Sequence, residues 1–285
     1  MTRHSPHRAV RVRREGGGDW DDDLVAVEEP LEIRVEGGSV AVVMRTPGHD
    51  RELAAGFLLS EGVIRRTADL YDITECRMED QACETVPERL APKGNVAGVF
   101  LANPAAFDAA RLTRHVMTSS GCGLCARSSI EALASLFPPL EPEGMRIAAE
   151  TVLAMPGELA SAQETFRRTG GLHGCALFAI DEEGGGARLL AVREDVGRHN
   201  ALDKLLGWAL LEGRLPLSRC VLFLSGRVSF ELVHKALAGG IPVIAAISAP
   251  SSLAVEFAAA NGQTLIGFVR GERMNLYTGP ERIIP

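Results

Sequence analysis

The chain of 285 residues has no apolar run long enough to span a bilayer, which excludes a membrane-spanning helix, and its first residues lack the apolar core of a secretory signal. A positive balance is missing too. The net charge of -7 argues against a nucleic-acid-binding surface as the main function, although local basic clusters can still hold phosphates. Six cysteines in a chain of this length do not demand a disulfide framework. The expected location is therefore the cytoplasm, where paired thiols are more often catalytic or metal-binding. The His-x-Glu and Pro-Cys-x-x-Cys signatures of zinc deaminases are also absent: none of the seven histidines has Glu two residues later, and Gly121 precedes Cys122.

What is present centres on Thr118 to Arg127, where Cys122 and Cys125 flank Gly123 and Leu124. Ser128 with Glu131 forms a capping box, and Ile130, Leu133, Leu136 and Phe137 then recur at helical spacing. Both thiols are thus expected just upstream of a helix N-terminus. The helix dipole and Arg127 favour thiolate there, a setting that brings a cysteine pKa from ~8.5 into the range of roughly 3.5–7.5. Gly121 and Gly123 leave the sulfurs accessible, as a nucleophile requires. Cys76 and Cys83 could join this pair in a four-thiolate zinc site, but only one of the two pairs has the usual short spacing, and no intrinsic metal is expected.

Composition divides the chain into a disordered tail over residues 1–23, a small α+β domain over 24–115 and an α/β domain over 116–285. Five arginines followed by a glycine run and four aspartates read as a solvated leader. Leu31, Ile33 and Val35 alternate with Glu32 and Arg34, then turn at Gly37-Gly38 toward Val40 to Met44, which predicts a hairpin with one wet face. A helix over 51–59, capped by Asp50, should stop near Gly62. Strand-like runs follow at 70–73 and 96–101. The region 152–166 reads as helix interrupted at Pro156-Gly157, and 175–180 as strand. Cys175 and Cys220 sit inside apolar runs as small buried hydrophobes.

From residue 189 onward strands over 189–192, 220–224, 241–247 and 264–269 alternate with helices over 200–211, 229–237 and 252–260. Doubly buried strands alternating with helices predict a parallel or mostly parallel sheet covered on both faces. If the strands run together, the segments after them share one edge, where open α/β folds bind ligands. Those segments are 193–200, 225–229, 249–252 and 270–273, rich in arginine, glycine and helix-opening Asn or Ser. They form either a set of capped turns or an anion site for a phosphorylated ligand.

The runs Thr46 to Gly62, Thr118 to Ile130, Thr169 to His173, Val192 to Lys204, Leu224 to Glu231, Ile247 to Val255 and Gly267 to Ile283 resemble those of the formate dehydrogenase accessory sulfurtransferase family. The resemblance implies a cytidine-deaminase-like three-layer α/β sandwich with a smaller N-terminal domain, in a homodimer. It implies a protein that takes persulfide sulfur from a cysteine desulfurase and passes it to the molybdenum cofactor, in its bis-guanine-dinucleotide form, before formate dehydrogenase receives that cofactor. Cys122 corresponds to the persulfide carrier and Cys125 to its partner. Phe268, Val269, Arg270, Gly271, Glu272 and Arg273 correspond to the cofactor-binding stretch. One position departs: Ala126 stands where the family has glycine.

His173 and His199 lie beside glycine-bearing turns, as candidates to bond the cofactor or steer protons, or as structural histidines. Three rival readings remain. A thiol-disulfide oxidoreductase would carry Cys-x-x-Cys at the start of a compact βαβ unit. A zinc deaminase would hold stoichiometric metal, and a non-catalytic chaperone would work without Cys122.

Overall fold

A computed structural model describes residues 3–12, 18–76, 95–108, 136–141 and 144–285. Cys122, Cys125, Cys83 and the capping box at Ser128 and Glu131 lie outside them.

Residues 4–26 form a hairpin of β1 (His4–Val12) and β2 (Gly18–Ala26), where the sequence reading places a disordered tail. The two segments pair residue for residue, from His4 opposite Ala26 to Val12 opposite Gly18. Composition alone reads both halves as solvated.

The next sheet joins β3 (Glu29–Val35), β4 (Gly38–Arg45), β5 (Leu70–Cys76) and β6 (Val96–Leu101) in the order β4-β3-β6-β5. The apolar half of the expected alternation holds, with Leu31, Ile33, Val35 and Ala41 buried and Val42 61% exposed. Glu32, expected on a wet face, is also buried and takes Arg34 Nη2 at 2.7 Å, because β3 lies inside the sheet between β4 and β6. Helix α1 (Asp50–Ser60) follows β4 and ends before Gly62, at φ 71°. Its N-cap is His49, in the left-handed region, rather than Asp50. The Asp50 carboxylate is taken by buried Arg45, whose Nε and Nη2 donate to it at 3.0 and 2.9 Å.

The main sheet contains β8 (His173–Ile180), β9 (Ala187–Asp195), β10 (Cys220–Leu224), β11 (Val243–Ala246), β12 (Thr264–Arg270) and β13 (Arg273–Thr278) in the order β13-β12-β11-β10-β8-β9. A short parallel pair, β7 (Ile147–Ala148) with β14 (Ile283–Ile284), closes the C-terminus. The main sheet is mixed. β10, β11 and β12 are parallel neighbours, whereas β8 runs against both β10 and β9, and β13 runs against β12. Strand β9 therefore points the same way as β10 to β12 by way of two reversals.

Helix α2 (Ala149–Ala162) covers one face, burying Val152, Met155 and Leu159 against Ala176, Phe178, Val221 and Phe223. It runs through Pro156 without a break, because the burial of that stripe outweighs the one backbone bond the proline cannot donate. After α3 (Glu164–Thr169), the other face is covered by α4 (Arg198–Leu211), α5 (Phe230–Ala238) and α6 (Ser252–Ala260). The result is a helix-sheet-helix layering. The N-terminal sheet and α1 join the same apolar cluster as α4, so the two parts share a core.

Two glycines set the spacing of that junction. A Cβ on Gly56 would lie 1.8 Å from the Asp203 carbonyl oxygen, and one on Gly207 would lie 1.8 Å from the Glu52 carbonyl oxygen. Backbone therefore meets backbone where α1 crosses α4. Beside the crossing, Arg193 donates to Glu52 at 2.5 and 2.8 Å through Nε and Nη2, and His49 Nδ1 approaches the same carboxylate at 3.1 Å. Burial pushes the Glu52 carboxyl up, but the bonds from Arg193 and His49 outweigh it and hold it below the usual carboxylate range.

Gly56→Ala should cost at least about 1–3 kcal/mol in urea denaturation, since the added methyl must push two backbones apart. Gly157→Ala in α2, where nothing lies within 4 Å of the new Cβ, should be neutral or stabilising. The Glu52 pair gives a pH signature. Because its folded pKa lies below the unfolded value of ~4.3, its stabilisation is complete above that value and is lost as pH falls through the folded one. Glu52→Gln should therefore lower stability at neutral pH and flatten the acid limb of the stability curve, measured as denaturation midpoints across pH.

Candidate functional site

Because β9, β10, β11 and β12 point the same way, their C-terminal ends share one edge of the sheet, joined by the start of β8 and of β13. The segments leaving that edge are stitched into a continuous rim. Ser225 N–H donates to the Gly174 carbonyl at 3.0 Å and Ser225 Oγ accepts from Gly174 N–H at 2.9 Å, tying β10 to β8. Val228 N–H donates to the Ala249 carbonyl and Ser251 N–H to the Val228 carbonyl, at 3.1 and 2.9 Å. Phe268 N–H donates to the Ser248 carbonyl at 3.2 Å, and Arg270 Nε to the Ile247 carbonyl at 3.1 Å. His199 Nε2, 3.3 Å from Ser229 Oγ, brings in the segment after β9, so the four segments picked out in the sequence meet.

The stretch Phe268 to Arg273 spans the end of β12, a two-residue turn and the start of β13. Gly271, at φ 56°, takes the first central position of that turn, where a tight hairpin needs positive φ. Phe268 has φ 53°, a conformation bulky residues rarely hold, inside an irregularity of the β12 ladder between Gly267 and Arg270. Its neighbour Gly267 is tightly enclosed: a Cβ would sit 3.0 Å from Pro250 and 3.1 Å from the Ser248 oxygen, so either would have to give way by a few tenths of an ångström. Val269 is buried, while Arg270, Gly271, Glu272 and Arg273 are exposed. The backbone turns its polar groups and both arginines outward at the rim.

The middle of the rim is cationic. Burial holds His173 below the usual histidine range, and the neighbouring Arg198, His199 and Arg227 add to this against the opposing pull of Asp195. His173 is therefore neutral near pH 7, a hydrogen-bonding group among cations. Its ring lies against Gly226, where a Cβ would be 3.2 Å from Nδ1. His199 Nε2 lies 3.3 Å from Ser229 Oγ and 3.6 Å from Glu231, whose carboxyl is pulled down to about 2, chiefly by the bond from His199. Ser229 opens α5 without capping it, whereas Ser251 Oγ does accept from Ala254 N–H at 3.3 Å. Among the described residues Arg198 and Arg227 form no salt bridge, and Arg198 Nε is buried without a partner.

Arg193 differs from the expectation of an anion-binding rim residue: its guanidinium is committed to Glu52. The sequence reading also missed what fixes the segment after β9. Asp195, fully buried, accepts from Gly197 N–H and Asn200 Nδ2 on Oδ1, at 2.9 and 3.0 Å, and from Thr46 N–H and Lys204 Nζ on Oδ2, at 3.0 and 2.6 Å. Lys204 also donates to the Thr46 carbonyl at 2.7 Å. The available signal was a charged pair, Asp203 and Lys204, inside an otherwise apolar helix. Asp203 in turn receives Lys235 Nζ at 2.8 Å on each oxygen and Ser60 Oγ at 2.8 Å.

A family model described as the FdhD/NarQ family matches residues 26–284. Proteins named sulfur carrier protein FdhD from Mycobacterium tuberculosis and Streptomyces coelicolor are 50% and 47% identical to the chain. These matches cover 97% and 99% of this chain and 98% and 97% of theirs. The crystal structure of a protein from Desulfotalea psychrophila, reported as a formate dehydrogenase accessory protein, superposes with a TM-score of 0.73 at 25% identity, covering 99% of this chain and 100% of that one. With a match over nearly its whole length, the chain belongs to the FdhD/NarQ family.

Proposed function

We propose that this protein is a sulfur carrier that receives sulfur as a persulfide on Cys122 and transfers it to a molybdenum cofactor bearing guanine dinucleotides, held at the rim of the main sheet. The donor is a cysteine desulfurase and the recipient of the finished cofactor is formate dehydrogenase. The carrier works in the cytoplasm as a homodimer, and its layered domain is a cytidine-deaminase-like sandwich.

The observation that carries the reading is the unspent positive charge on the rim, in a chain similar to named sulfur carriers over almost its full length. Arg193 and Lys204 are neutralised by Glu52 and Asp195, while Arg198, Arg227, Arg270 and Arg273 stand at the edge with no salt bridge among the described residues. Guanidinium forks and free backbone N–H groups suit the diphosphates of a dinucleotide. The stretch Phe268 to Arg273 supplies both on one turn.

The transfer balances without an outside oxidant. The Cys122 thiolate attacks the outer sulfur of the donor persulfide, a new S–S bond forms at Cys122, and the donor cysteine leaves as thiolate with the electron pair of the broken bond. Cys125 then has one of two roles. It attacks Cys122 sulfur, releasing sulfide and leaving a disulfide for a cellular thiol to reduce, or it hydrogen-bonds the persulfide and keeps it intact. In the first case Cys125→Ala accumulates persulfide; in the second it loses it.

Exposure to a cysteine desulfurase and cysteine should add one sulfur mass to the protein, absent in Cys122→Ala. An unchanged gain in that variant removes Cys122 as the carrier, and mass spectrometry decides. Replacing Arg270 and Arg273 together by alanine should weaken GDP binding about tenfold or more at low ionic strength, and less as salt rises. Calorimetry that finds equal affinity moves the phosphate site elsewhere on the rim.

A further inference from the structure

His173 opens β8 in the middle of the rim, half-buried, with its ring against Gly226 and its backbone paired across from Asp195. Among the described residues neither of its ring nitrogens has a hydrogen-bond partner. We infer that His173 is the proton acceptor of the rim: an anion settling on the arginines draws a proton from solvent onto this imidazole, and the proton leaves when the anion does. This rests on the reading of the rim as a seat for phosphates and adds what governs its filling and emptying.

The charges around the ring carry the argument. Arg198 and His199 reach it from α4, and Arg227 from the segment after β10. Among the described residues the carboxylate set against them is that of Asp195, and both its oxygens are already taken by Thr46, Gly197, Asn200 and Lys204. Glu194, next to it on β9, turns its carboxylate to the N–H groups of Thr165 and Phe166. Glu231 of α5 is held by His199, and Arg193 by Glu52. From α2 and α3, Pro156, Ala160, Gln163 and Phe166 line the space beside the ring, and none of them titrates.

The cluster is therefore short of an anion. In that state the surrounding cations and burial both keep the imidazole neutral. A phosphate on the guanidinium groups reverses the sign of the nearest charge. The ring, its nitrogens unpartnered, then gains an acceptor to donate to and a field that favours imidazolium. The direction of the linkage follows. Between the value for the empty site and the higher value for the filled one, binding takes up a proton and affinity falls as pH rises. Below the first value the ring is charged in both states, above the second it is neutral in both, and pH ceases to matter.

The test uses the full chain with GDP-mannose, a diphosphate diester whose own charge is constant between about pH 5 and 8, the range over which histidines titrate. Nitrogen NMR of the histidine rings should place His173, identified by the signal lost in His173→Gln, below ~6.5 in the free protein and about one to three units higher at saturation. Calorimetry at fixed chloride, in buffers of different ionisation heat, should record proton uptake on binding and an affinity that falls by up to about tenfold per pH unit between those two values. His173→Gln keeps hydrogen-bonding groups at the position without titrating. It should bind with no proton uptake and an affinity that stays level across the range. A His173→Gln variant that fails to fold, judged by its thermal transition, is replaced by His173→Asn. The inference is overturned if GDP-mannose binds the wild type without moving the His173 signal, or if the pH dependence survives in His173→Gln; its loss in His199→Gln instead assigns the proton to His199. Binding without proton uptake removes the role of His173 and leaves the phosphate seat standing, whereas no binding at any pH overturns the reading of the rim itself.

Discussion

The bond between Asp195 and Lys204 governs how the rim is held. Each carboxylate oxygen of Asp195 accepts two hydrogen bonds, and the four donors come from β4's outgoing turn, the segment after β9 and the first turns of α4. Burying two opposite charges is weak evidence of stability, since the desolvation cost offsets much of their attraction. Burial in fact pulls the Lys204 ammonium below the usual lysine range more than Asp195 restores it. What the pair fixes is position. A hydrophobic residue at 195 would strand the Thr46 and Gly197 N–H groups, so the N-terminal sheet, α4 and the segment carrying Arg198 and His199 share one hub.

That hub ties the small N-terminal sheet to the rim of the main sheet. Gly56 and Gly207 bring α1 and α4 into backbone contact, and the glycines leave no slack for one helix to slide on the other. Val196 N–H donates to Thr46 Oγ1 at 3.2 Å and Asn200 Nδ2 to the Met44 carbonyl at 2.7 Å, so the turn leaving β4 acts as a template for the turn leaving β9. Arg198 leaves this fixed segment with its Nε buried and unpartnered. Nε of Arg198 is thus closed to water while the rest of the half-buried side chain remains at the edge.

Much of this was legible in the sequence where periodicity reports burial. The alternation in β3 and β4, the apolar runs of β10 to β12, the helices between them and the shared edge all follow from spacing. The buried setting of Cys175 and Cys220 does as well: burial pushes the Cys220 thiol up to about 11 and the Cys175 thiol higher still, so neither competes as a nucleophile. Other features depend on partners far along the chain. The hairpin of β1 and β2 pairs segments that composition reads as a solvated leader, the apolar run of β8 does not show its direction, and β13, with Arg273, Asn275 and Thr278, is too polar to read as a buried strand. Asp203 and Lys204 stand out as charges within the apolar run of 201–211, but the partners that hold them, Ser60, Lys235, Thr46 and Asp195, are not adjacent in the sequence.

The same distinction sorts the rim's arginines. Arg193 and Arg198 are five residues apart, flank the same turn and look equivalent in sequence, but strand geometry sends one side chain toward α1 and Glu52 and leaves the other at the helix start. Arg193 is a tie between layers, and its charge is cancelled locally. Arg198 adds to the field that, with burial, keeps His173 neutral. A neutral imidazole bordered by guanidinium groups can donate or accept without adding charge. It therefore sits as an uncharged hydrogen-bonding group in the cationic middle of the rim, beside a turn after β9 that is bolted to the turn after β4.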